Sequence, residues 1–181
     1  PAASAPLRVV SHNERSVTFE GRVGAVYALK TVRIGSRPYQ IDVELAMGPA
    51  DRSGSVSVVY PAYMAPDAPS PGFLSGGEVF ETVVPICRAG GRTVRFDGKE
   101  ATKALSGPAS WAGLDQHYFV SALMPEDVAA ECFFERLATA GATAAALRLP
   151  AGQPVRAKLT LYAGPKQLDL LRAFGRDLDT A

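Results

Sequence analysis

Across 181 residues there are only two cysteines, two histidines and one tryptophan, and no apolar run reaches the roughly 18 residues a membrane-spanning helix needs. The opening PAASAPLRVV has no initiator methionine and neither a basic nor an apolar leader region. The chain therefore reads as soluble and excised from something longer. Charge of one sign is also missing: nineteen Lys and Arg face eighteen Asp and Glu, scattered singly, which gives no case for a nucleic-acid partner or a polybasic membrane patch. Cys87 and Cys132 lie 45 positions apart outside any CxxC or Cys/His cluster, so the usual zinc ligation is excluded. Two readings stay open for them, buried apolar thiols or a bridge between strands, and the second needs an oxidising compartment. The chain holds no Gly-x-Ser-x-Gly, no His-Glu-x-x-His and no glycine-rich phosphate loop.

What is present is period-two alternation. SVTFE (Ser16–Glu20), VYALKTVRI (Val26–Ile34), YQIDVELAM (Tyr39–Met47) and SVSVVY (Ser55–Tyr60) alternate apolar and polar residues as half-buried antiparallel strands do, with glycine- and proline-bearing breaks between them. The expected arrangement is a meander of hairpins. From Pro61 to Gly77 four prolines and three glycines predict a long surface loop. Strands are expected again over Val79–Ala89 and Arg92–Phe96 around a Gly90–Gly91 turn, while Lys99–Ser110 has no clear pattern. SWAGLDQHYFVSALMPE (Ser110–Glu126) reads as one long strand, followed by strands over Glu131–Ala140, Ala142–Pro150 and Pro154–Gly164. The ending changes period: Gly164–Gly175 predicts a short amphipathic helix with Pro165 at its first position, Leu168, Leu170, Leu171 and Phe174 apolar, and Gly175 as a left-handed C-cap.

Few residues could carry chemistry. His117 stands two positions from Asp115, on one face of the predicted strand, so a carboxylate–imidazole pair is conceivable there; the plainer reading is a solvated rim. Trp111, Tyr118, Phe119 and Met124 could line a pocket, or form the core between two sheets. Glu78 with Glu81, and Glu126, Asp127 and Glu131, read as surface charge. The helix face needs a partner surface, either the sheet or something external.

WAGLDQHYFVSALMP (Trp111–Pro125), followed about forty residues later by LTLYAGPKQLDLLRAFG (Leu159–Gly175), resembles the periplasmic domain of the YidC-type membrane protein insertases, and ALKTVRIGSRPYQIDVELAM (Ala28–Met47) resembles that family's hairpin. The resemblance implies a mainly β fold: a twisted antiparallel β-sandwich of the galactose mutarotase-like supersandwich kind. One domain over residues 1–181 is expected, closed by a helical segment at about 165–181. It further implies a periplasmic domain of an inner-membrane protein, without catalytic residue, cofactor or metal. Its partners would be the membrane-embedded part of the same insertase, Sec translocon components and membrane protein substrates. The helix residues Pro165, Leu168, Leu171 and Phe174 would form an interface, and in that compartment a Cys87–Cys132 disulfide is the expected redox state. A rival of the same fold is a carbohydrate-binding or sugar-epimerising domain with a groove at Trp111, His117 and Tyr118.

Overall fold

In the computed structural model, residues 6–23, 26–48, 56–62, 83–96, 101–136, 143–149 and 155–181 are described. They form twelve strands: β1 (Arg8–His12), β2 (Ser16–Val23), β3 (Val26–Ile34), β4 (Gln40–Gly48), β5 (Val56–Ala62), β6 (Val84–Ala89), β7 (Arg92–Arg95), β8 (Thr102–Asp115), β9 (Phe119–Pro125), β10 (Glu131–Arg136), β11 (Thr143–Leu149) and β12 (Val155–Pro165). A helix, α1 (Leu168–Phe174), and one 3-10 turn, Leu178–Thr180, close the chain. Every strand pairing is antiparallel. The mainly β sandwich with a short C-terminal helix is thus the observed architecture.

The larger sheet runs β1-β2-β3-β4-β12-β9-β8, with β6 and β7 beyond β8; the smaller runs β8-β10-β11-β5. The fourteen-residue β8 belongs to both. Its first half pairs with β10 through Pro108 and its second with β6 from Ala109 onward. Gly107 makes the transfer possible: its φ is +91°, and a Cβ there would lie 2.8 Å from the Cα of Gly90. The segment without a clear sequence pattern, Lys99–Ser110, therefore supplies the strand on which the two sheets turn.

The meander holds from β1 to β4 and fails at β5, which leaves its sequence neighbour to pair with β11 in the other sheet. The expected single strand over Ser110–Glu126 is two strands, broken where the Gln116 N–H donates to the Phe119 carbonyl at 2.9 Å and closes a short turn. The Pro61–Gly77 loop falls almost wholly outside the described residues, as do Glu78 and Glu81.

Alternation along the strands gives the larger sheet two buried faces. Cys87, Ala112, Leu123, Ala157 and Leu159 point at Cys132, Phe134, Ala145, Leu147 and Leu149 of the smaller sheet, with Phe96 stacked on Phe134 at 5.0 Å between ring centroids. Small alanines on β11 allow close approach there. The intervening residues, Ile86, Trp111, Val120, Ala122, Met124 and Tyr162, face the other way and pack under the C-terminal segment. Gly113 lies between them on β8, where any Cβ would run into the carbonyl of Ser121 and come within 2.8 Å of the Ala122 Cα.

Cys87 on β6 and Cys132 on β10 meet as a disulfide across the two layers, Cα atoms 6.5 Å apart. A bridge closing a span of 45 residues restricts the unfolded chain by about 4 kcal/mol on loop-entropy grounds. Maleimide counting in denaturant without reductant should find no reactive thiol, and reduction should lower the urea midpoint; two reactive thiols in the untreated protein would contradict the bridge.

Candidate functional site: the C-terminal cap on the larger sheet

β12 runs to Pro165, one residue past the stretch its alternation predicts, and the cap follows directly from its end. The helical spacing predicts Pro165 at the first helical position, yet it closes β12 opposite Phe119, and the Lys166 N–H continues that ladder by donating to the Tyr118 carbonyl at 2.8 Å. The helix starts three residues later, after Gln167 in extended conformation. A proline at a strand end removes an N–H that no neighbour needs, so both positions satisfy its chemistry, and the β9 pairing decides. Gly175 ends the helix with φ 74° and ψ −157°, positive φ but outside the left-handed helical region.

The helix residues divide. Leu171 is buried, Phe174 and Leu170 are partly buried, and Leu168 stands about half exposed. Phe174 lies edge-on to Tyr162 at 4.8 Å, and Tyr162 in turn to Tyr39 at 6.2 Å. Past the helix, Leu178 is fully buried and Ala181 packs on the same cluster. Burying Leu171 and Leu178 is worth about 2 kcal/mol each. Polar contacts rim this apolar centre. Tyr162 donates to the Pro165 carbonyl at 2.7 Å, and burial pushes its phenol pKa up, with a smaller push from Tyr39. Arg88 on β6 reaches Asp177 with Nη2 at 2.6 Å and Nε at 3.1 Å, and the hydroxyls of Thr93 and Thr180 lie 2.7 Å apart. Arg176 donates to the Pro125 carbonyl and to Glu126 at 2.9 Å. Arg37 lies over the Phe174 ring at 5.3 Å and donates to the Ala173 carbonyl at 3.1 Å.

Asp115, at the end of β8, is the buried charge in this rim. Its Oδ2 accepts from Arg95 Nε at 2.9 Å and Nη2 at 2.8 Å, and its Oδ1 accepts from Lys166 Nζ at 2.6 Å. One carboxylate therefore joins β7, β8 and the strand-to-helix junction. A buried carboxylate needs such partners, and removing its charge leaves two cations facing each other.

This arrangement corrects the sequence expectations for chemistry. His117 is not on a strand with Asp115; it sits on the β8–β9 turn, its ring edge-on to Tyr118 at 4.2 Å, while Asp115 is committed to Arg95 and Lys166. Trp111 is fully buried under the cap, and His117 and Tyr118 are exposed beyond the end of β8, so the three form no open groove. Glu126 pairs with Arg176, Asp127 accepts from the Lys158 N–H at 2.7 Å, and Glu131 lies 3.8 Å from Arg148. Among the described residues no group of three or more His, Cys, Asp or Glu could hold a metal ion. A cavity of about 650 Å³ beside the β8 kink is lined by Leu105, Gly107, Pro108, Glu131, Arg148 and Leu149, a set without histidine or cysteine. Sequence reasoning missed Asp115, Lys166 and Arg95 as a unit, because an ion triad spread over 71 positions has no local pattern.

Fold and cap together define a class: an antiparallel β-sandwich whose C-terminal segment serves as a third layer. Comparison with known proteins agrees with that class. The profile of the YidC periplasmic domain matches residues 8–181, and the chain belongs to that family. It is 48% identical over its whole length to the membrane protein insertase YidC of Anaeromyxobacter dehalogenans strain 2CP-C, and 46% identical over 99% of its length to that of Anaeromyxobacter sp. strain Fw109-5. A 21% match over 97% of the chain connects it to the insertase of Syntrophus aciditrophicus. The chain spans about a third of the length of these curated relatives.

Replacing the Asp115 carboxylate by an amide, Asp115→Asn, should cost about 2 kcal/mol after discounting for the exposed Arg95 side of the triad. Hydrogen exchange should show amides of residues 166–181 losing protection before those of β10 and β11. Unchanged protection of the cap in this variant would contradict the role assigned to Asp115.

Proposed function

We propose that this chain is the periplasmic domain of an inner-membrane protein insertase, working as a scaffold and docking surface without a catalytic residue of its own. Residues 1–181 act as one unit in this reading, with the segment from about 165 onward holding the sandwich in a fixed relation to the membrane-embedded part of the protein. Membrane protein substrates, and Sec translocon components beside them, are the partners the reading requires. The observation that carries it is the cap: the segment after β12 is fastened to the larger sheet by the buried Leu171 and Leu178 and by the Asp115, Arg88 and Arg176 contacts. A terminal segment fastened at that many points transmits position, which is what a scaffold needs from its last residues. Family membership supplies the setting, since the relatives are named as membrane protein insertases.

The test is complementation with the full-length insertase in cells depleted of their own. Leu171→Asp with Phe174→Asp should reduce insertion of a reporter membrane protein severalfold at normal protein abundance, while Val9→Asp, at an exposed position on the β1 edge, should leave it near wild type. Equal effects of the two changes would refute this division of roles.

A further inference from the structure

The connections of the larger sheet gather at one end, and that end carries an unusual surface. Antiparallel pairing brings together the turn at residues 13–15, the turn at 35–39, the turn at 116–118 and the strand-to-helix junction after Pro165. Hydrogen bonds tie them: Ala163 N–H donates to the Tyr39 carbonyl at 3.0 Å, Lys166 N–H to the Tyr118 carbonyl at 2.8 Å, and the side-chain Nη2 of Arg15 to the Gly35 carbonyl at 3.3 Å. Of the nine large hydrophobic side chains exposed among the described residues, five stand at this end: Ile34, Tyr39, Tyr118, Phe119 and Leu168. Tyr118 is the most open, at 64%. The other four follow the β1–β3 edge.

Chemistry narrows what such a surface fits. Arg15, Arg37 and the Arg95–Asp115–Lys166 triad, which keeps one positive charge in excess, stand here against Glu14 and the exposed Asp169 beside Leu168. Tyrosine, phenylalanine and leucine rimmed by arginine and lysine are the residues that settle at a lipid headgroup boundary, rings inward and cations at the phosphates. Two of the turns are closed by their own backbone, with Gly35 N–H on the Gln40 carbonyl, Gln40 N–H on that of Arg37 and Gln116 N–H on that of Phe119.

We infer that this end of the domain docks peripherally on an anionic lipid surface, with Tyr118, Phe119 and Leu168 entering the headgroup boundary and Arg15 and Arg37 meeting its phosphates. The choice of a bilayer as occupant rests on the insertase setting proposed above. Vesicle binding and insertion activity are nonetheless separate readouts, so failure of one leaves the other standing.

The experiment is flotation of the 181-residue chain with vesicles of equal parts phosphatidylglycerol and phosphatidylcholine, against phosphatidylcholine alone. Binding should favour the anionic vesicles, weaken as salt is raised, and fall about tenfold or more in the triple variant Tyr118→Ser, Phe119→Ser, Leu168→Ser with an unchanged melting temperature. A second variant, Tyr118→Trp, keeps the aromatic body; its emission should shift to the blue on adding anionic vesicles. No flotation with either vesicle, flotation indifferent to the triple variant, or a Tyr118→Trp spectrum unmoved by lipid would each overturn the inference. A surface that instead captures a protein partner would show the first and the last of these outcomes.

Discussion

The larger sheet has two apolar faces, and each must be kept from water. That constraint organises the chain. The smaller sheet covers one face with Phe134, Leu147 and Leu149, and the segment after Pro165 covers the other with Leu171, Phe174 and Leu178. Trp111 sits on the second face, fully buried, and Gly113 beside it leaves no space for a side chain between β8 and β9. An ordinary sandwich would leave the outer side of its sheet solvated; here the central strands are buried on both sides, so the C-terminal segment is part of the fold.

Asp115 connects that packing to the reading of function. Hydrophobic burial alone would let the cap slide, because it is non-directional. The triad with Arg95 and Lys166, together with Arg88 on Asp177, fixes where the segment lies and leaves the strand-to-helix junction in one geometry. Polar contacts of this kind confer position at little net gain in stability, since exposed partners such as Arg95 give back much of the attraction to solvent. The scaffold role proposed above asks for position more than for chemistry.

Much of this was legible in the residues, and the failures have physical causes. β2, β3 and β4 followed their alternation closely because local pairing through short turns determines them. β5 alternates just as well, yet its partner is β11, more than eighty residues away, and alternation says nothing about which edge a strand will join. The β8–β9 turn was hidden because Asp-Gln-His-Tyr carries no glycine or proline. The helix starts later than its spacing predicts, since Pro165 suits a strand end as well as a helix start. At the candidate site, the apolar residues of the cap show in their spacing, whereas sequence proximity pairs the carboxylate that anchors it with His117 and says nothing of Arg95 and Lys166, its neighbours in space.

The central claim is that residues 167–181 are the second cover of the larger sheet. Since Trp111 is the only tryptophan and lies under that cover, acrylamide quenching of its fluorescence measures the claim directly. The account predicts weak quenching in the intact chain and strong quenching, with a red-shifted emission, in a chain ending at Lys166 whose disulfide-linked sheets remain folded by circular dichroism. Equal quenching in the two chains would contradict it.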